Sequence, residues 1–131
     1  MSLLKFINFP PLGNEYGSLV ALEAEKDIPF LIKRVYYIFA TKSGKARGFH
    51  AHRNLKQVVI CVAGKCRVVL DDGQQQQETW LDTPTKGLII DSLVWREMHD
   101  FSEDCVLLVL ANEHYDETDY IRNYNDFLER L

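Results

Sequence analysis

His50 and His52 are separated by a single residue in the segment Arg47-Gly48-Phe49-His50-Ala51-His52. Side chains at i and i+2 of a β-strand share a face. An extended segment here therefore presents two imidazoles side by side and turns Phe49 and Ala51 away. Imidazole serves as a metal ligand or as a proton acceptor and donor near neutral pH. A lone strand histidine is commonly structural, whereas two at this spacing in a glycine-bounded stretch point to function.

Holding such a pair in place requires strands, and the chain is rich in short β-type runs. Strands are predicted over Leu3–Phe9, Ser18–Ala24, Ile32–Ala40, Arg47–Ala51, Gln57–Val62, Lys65–Leu70, Glu78–Leu81, Leu88–Ile90 and Cys105–Ala111. Turn chemistry separates them at Ser43-Gly44, Ala63-Gly64, Asp72-Gly73, Pro84–Gly87 and Ser102–Asp104. Many short strands at near-regular spacing imply an all-β sandwich or barrel. Only Asn123–Leu131 has helical spacing, with Tyr124, Phe127, Leu128 and Leu131 apolar. The run Gln74–Gln77 follows Asp72-Gly73 and reads as an exposed hairpin arm.

A length of 131 residues with 47% hydrophobic content suits one globular domain over 1–131. No apolar run is long enough to span a membrane, and the start lacks the pattern of a secretory signal. The three cysteines, Cys61, Cys66 and Cys105, form no CxxC pair and lie in apolar surroundings. They read as buried free thiols, which fits a cytoplasmic protein. A net charge of -4 argues against non-specific nucleic-acid binding. Residues 31–60 hold Lys33, Arg34, Lys42, Lys45, Arg47, Arg53 and Lys56 and no acid, whereas residues 97–119 hold only acids among their charges. The basic block suits an anionic ligand such as a diphosphate, or a solvated rim matched to the acidic segment across a subunit contact; charge alone does not choose.

From Gly44 the spacing runs five residues to His50, one to His52, four to Gln57 and six to Gly64. This resembles the first motif of the cupin superfamily, with Gln57 where that family has a metal-binding glutamate. The second cupin motif, laid from Gly87, places Met98 at its ligand histidine, with Leu93 and Trp95 replacing its proline and glycine. Two neutral imidazoles without a carboxylate are a poor set for Fe(II), Mn(II) or Zn(II), and strand alternation turns His99 away from the Met98 position. No metal is expected, which leaves the histidines free for acid–base work.

Four segments carry a closer resemblance: Lys33–Ile38, Arg47–His52, Leu93–Met98 and Tyr115–Arg122. Together they resemble the dTDP-4-keto-6-deoxyglucose 3,4-ketoisomerases, metal-independent cupins of bacterial deoxysugar pathways. The resemblance implies a cupin fold (a double-stranded β-helix, or jelly-roll barrel) with a short C-terminal helix. It also implies a dTDP-linked keto-sugar substrate, no cofactor, and a shift of the keto group from C4 to C3 through an enediol. His50 would be the base and His52 the second acid/base or orienting partner. Tyr36 would donate to the sugar oxygen or shuttle the proton, although spacing alone allows a barrel-wall aromatic. Arg34 lies on the Tyr36 face and would also contact the substrate. Tyr16 and Arg96 match positions near the sugar. Trp95 would stack on the thymine or sit in the core. Arg47 alternates away from His50 in an ideal strand and reaches the site, or a diphosphate, only if that strand is bulged. Small cupins of this kind pair as homodimers, often exchanging the N-terminal strand. Two rival readings are a metal-dependent cupin enzyme and a non-catalytic nucleotide-sugar binder. Gln57 and Met98 oppose the first; the titrating pair opposes the second.

Overall fold

A computed structural model describes residues 2–131 of the chain. The strands are β1 (Lys5–Asn8), β2 (Leu12–Asn14), β3 (Gly17–Leu19), β4 (Arg34–Ile38), β5 (Arg47–His52), β6 (Gln57–Ala63), β7 (Cys66–Asp71), β8 (Gln76–Leu81), β9 (Lys86–Ile90), β10 (Trp95–His99), β11 (Val106–Ala111) and β12 (Tyr120–Ile121); the helix is α1 (Tyr124–Glu129). One sheet runs β1-β9-β6-β11-β4 and a second β12-β5-β10-β7-β8, while β2 and β3 form a hairpin bonded to neither. The pairings are antiparallel. The two sheets enclose the barrel expected of a cupin.

Three apolar layers hold it. The interior is filled by Val59, Leu70, Leu88, Leu107, Val109 and their neighbours. The middle strand β6 is also buried on its outer side, where Val58 and Ile60 meet Phe9, Ile28 and Leu110. That explains why its sequence is continuously apolar rather than alternating. On the outside of the second sheet, α1 lays Phe127 on Ala51, Trp95 and Ile121. Asn123 caps this helix by accepting from the Asp126 N–H.

Several stretches differ from the sequence prediction, among them the short strands β2 and β12, which no predicted run covers. Ser18–Ala24 is strand only as far as Leu19. Beyond it the Asp27 carboxylate accepts the Glu23 N–H at 2.9 Å, so a local turn satisfies the backbone that a ladder would have used. Strand β10 falls where no run was assigned, because Arg96 and Glu97 interrupt the apolar pattern. The Gln74–Gln77 region behaves as expected: Asp72 Oδ1 accepts the N–H groups of Gln74 and Gln75 and turns β7 into β8.

Candidate active site

Strand β5 is bulged. Its register with β10 pairs Arg96 with His50 but Glu97 with Gly48, so Gly48 and Phe49 together oppose one residue. Both have positive φ, 95° at Gly48 and 59° at Phe49. A Cβ at Gly48 would lie 3.0 Å from the Arg96 carbonyl oxygen, so any larger residue there is crowded as well as strained by the positive φ. The extra residue changes the alternation, so Arg47 comes to the same cleft as His50. The bulge that the Arg47 assignment required is present.

That cleft has a volume of about 620 Å³ and is lined by Arg34, Tyr36, Arg47, His50, Met98 and Tyr120, among others. His52 lies deeper, 1% exposed. The two imidazoles stand edge to face with centroids 4.9 Å apart. Tyr120 covers both, 5.1 Å from the His50 ring and 4.4 Å from His52, and is itself covered by the Arg122 guanidinium at 4.3 Å. His52 Nδ1 donates to Asp119 Oδ2 at 3.1 Å. Asp119 is fixed in turn by the Asn54 N–H at 2.8 Å. This contact sets the His52 tautomer and leaves Nε2 as a buried acceptor without a protein partner.

On the facing sheet Gln57 joins two further groups. Its Oε1 accepts from Arg96 at 2.6 Å, and its Nε2 donates to the Tyr36 hydroxyl at 2.9 Å. Because the phenol oxygen accepts from the amide, its own proton remains free to donate. Arg96 is 2% exposed, also donates to the Val94 carbonyl at 2.9 Å, and forms no ion pair among the described residues. Burial lowers its pKa to about 10, so it remains a cation at neutral pH. A buried cation without a counter-ion is costly to fold.

Burial and this guanidinium hold both imidazoles neutral. His50 is lowered to about 4, first by burial and then by Arg96. His52 is lowered further, to about 2, by the same two causes in the same order. Burial raises the Tyr36 phenol, an effect opposed by Gln57. The site does not fit a divalent metal. Gln57, at the cupin carboxylate position, is engaged by a guanidinium whose charge opposes a second cation beside the histidines.

Thus His50, Tyr36, Arg34 and Arg47 line one cleft, with His52 and Arg96 behind it. Trp95 does not join them. It faces outward, packs on Tyr124 and Phe127 with centroids at 5.2 and 5.8 Å, and donates its indole N–H to Glu97. This corrects the stacking assignment: alternation along β10 sends Arg96 and Met98 inward and Trp95 outward. Tyr16, 89% exposed at the β2–β3 turn, is also outside the cleft of its own chain. His99 turns away as expected, bonding Glu97 at 2.9 Å. Sequence reasoning missed Asp119, Tyr115, Tyr120 and Arg122 as site residues and the linking role of Gln57. The first four lie in the quoted Tyr115–Arg122 segment, whose motif was visible although its contacts were not.

Known proteins resemble this chain over nearly its whole length. The family model described as FdtA, WxcM-like, C-terminal, matches residues 2–131. A TDP-4-oxo-6-deoxy-alpha-D-glucose-3,4-oxoisomerase of Aneurinibacillus thermoaerophilus is 59% identical over 123 residues, 94% of this chain and 88% of that protein. A histidine-to-asparagine mutant of the 3,4-ketoisomerase QdtA from Thermoanaerobacterium thermosaccharolyticum, solved with TDP-4-keto-6-deoxyglucose, superposes with a TM-score of 0.96 at 45% identity, covering 99% of this chain and 94% of that one. The WlaRB TDP-quinovose 3,4-ketoisomerase of Campylobacter jejuni superposes with a TM-score of 0.94 at 46% identity, covering 98% and 99%. On the full-length family match and these relatives, the chain belongs to the WxcM-like FdtA family of sugar 3,4-ketoisomerases.

Proposed function

We propose that this chain is a 3,4-ketoisomerase of dTDP-4-keto-6-deoxyhexose and that His50 is its base. The carrying observation is the joining, in one cleft, of a neutral imidazole and a phenol with a free proton, with a buried guanidinium that has no ion-pair partner among the described residues directly behind them through Gln57. The C4 carbonyl acidifies the C3 hydrogen. His50 accepts that proton, and negative charge develops on the C4 oxygen. Arg96 supplies the opposite charge in a low-dielectric setting, where such stabilisation is strongest. Tyr36 protonates the oxygen to give the enediol. The C3 hydroxyl then returns a proton to the Tyr36 phenolate as protonated His50, after exchange with solvent, delivers one to C4, which leaves the carbonyl at C3 and restores both residues. No electron leaves the sugar, and the balance needs no cofactor. His52, oriented by Asp119, sits against His50 and tunes it. Arg34 and Arg47 present positive charge for a diphosphate.

The test is incubation with dTDP-4-keto-6-deoxyglucose in deuterated water, followed by NMR of the product. A 3-keto sugar deuterated at C4 is expected; unchanged substrate overturns the assignment. A metal-dependent cupin reading predicts that EDTA abolishes turnover and one divalent metal restores it. Full activity after chelation is expected here.

The same reading places the protein in the cytoplasm as one domain and makes it a homodimer. β4 is a sheet edge where Val35, Tyr37 and, just beyond the strand, Phe39 are 54%, 61% and 65% exposed. β1 pairs with β9, the place that an exchanged N-terminal strand would take on the other copy. The β2–β3 hairpin that follows, bonded to neither sheet and exposing Leu12 and Leu19, is suited to move with the exchanged N-terminal strand. Such an exchange would carry Tyr16 to the cleft of the other copy.

A further inference from the structure

Far from the cleft, three thiols meet inside the barrel. Gln57, Val59 and Cys61 alternate inward along β6, so Cys61 lies about 13 Å along the strand from Gln57 at ~3.3 Å per residue. Cys66 opens β7, and Cys105 precedes β11. All three are buried and free. Their sulfurs lie within 4.8 Å of one another, with Cys61 and Cys105 at 3.7 Å. A common centre therefore lies no more than about 2.8 Å from each, against a usual metal–thiolate distance of ~2.3 Å, so small side-chain rotations close the site.

The surroundings select the occupant. Among the described residues no other His, Cys, Asp or Glu completes this group, so the fourth ligand of a tetrahedral zinc is missing. Asp104 is the charged side chain whose field bears on Cys61 and Cys105, and it is negative. A dication with three thiolates would leave a net negative charge in an apolar core beside that carboxylate, which is unfavourable. A trivalent centre with three thiolates is neutral. We propose that Cys61, Cys66 and Cys105 form a three-coordinate site for a trivalent thiophilic metalloid, with arsenic(III) as its representative.

Arsenous acid meets three thiols. Three As–O bonds break and three As–S bonds form. Each thiol proton leaves with a hydroxide as water, and no oxidation state changes. Entry passes two interlocked turns. The Ser102 N–H donates to the Lys65 carbonyl at 2.9 Å, and the Lys65 N–H to Ser102 Oγ at 2.9 Å. Gly64, with φ of 68°, packs so closely there that a Cβ would sit 2.3 Å from Ser102 Oγ. Uptake is therefore slow and gated by local opening.

The test uses the whole protein, reduced with a phosphine, incubated with sodium arsenite and followed by native mass spectrometry. The expected adduct is one arsenic less three hydrogens per chain, appearing over many minutes. The hydrogen count reads the number of thiols consumed in the wild type, so the result does not depend on any variant folding. Cys66→Ser and Cys105→Ala, checked for fold by circular dichroism, should lose the adduct. No adduct after overnight incubation, loss of only two hydrogens, or stoichiometric zinc uptake by the same thiols would each overturn the assignment.

Discussion

At the scale of single residues, the assigned chemistry separates His50 from its neighbours. His50→Asn keeps approximate size and hydrogen bonding but cannot take the proton. Turnover should fall roughly 10²–10⁴-fold with nucleotide binding retained, and solvent deuterium should no longer enter the sugar. Near-normal turnover in a folded variant would remove His50 from the role. The low proton affinity of His50 has its own signature. A base held to about 4 is already neutral at pH 6. The acid limb of kcat/KM should therefore fall well below the usual imidazole range of ~6.5. Stability moves in the same direction. Between the folded and unfolded pKa values the unfolded chain binds more protons, so stability rises with pH through this window and is lost as pH falls from about 6.5. NMR titration of the imidazole carbons checks both; an inflection near 6.5 in the folded protein would contradict the burial argument. Asp119→Asn replaces an acceptor-only carboxylate by an amide that can also donate to His52 Nδ1, so the His52 tautomer is no longer fixed. It should lower kcat more than it changes KM, with His50 still able to titrate.

Among the elements, the bulge in β5 connects sequence to site most directly. The pattern of i, i+2 histidines made the strand and the shared face legible. It did not reveal the extra residue, because a bulge is set by the partner strand as much as by the bulged one. Gly48 was the available signal. Gly48→Ala should cost stability through its positive φ and its 3.0 Å approach to the Arg96 carbonyl. It should also withdraw Arg47 from the cleft, raising KM for the nucleotide sugar by more than Arg47→Lys does. Equal KM in Gly48→Ala and wild type would separate the bulge from substrate binding. β10 was legible only as a motif, since Arg96 and Glu97 hid its period, and Trp95 could not be assigned a side without that register. The Asp119–His52 contact spans 67 positions in sequence, and no local pattern could announce it.

At the scale of the whole molecule, the barrel, its C-terminal helix and the free thiols were readable because each rests on periodicity or composition. Assembly was not, because a pairing between copies leaves only exposed apolar residues in one chain. Light scattering at micromolar concentration should give a dimer, and Tyr16→Ala should reduce turnover without altering that mass. A monomer would count against the exchange. The order of the first sheet carries one more consequence. Along β1-β9-β6-β11-β4 no neighbours are consecutive in sequence, whereas β7 and β8 are joined by a tight turn. Closing that sheet must wait for β11, near the end of the chain, and for several distant loop closures, which slows barrier crossing. Refolding should therefore take milliseconds to seconds, with amides of the β7–β8 hairpin gaining protection from exchange before those of β6.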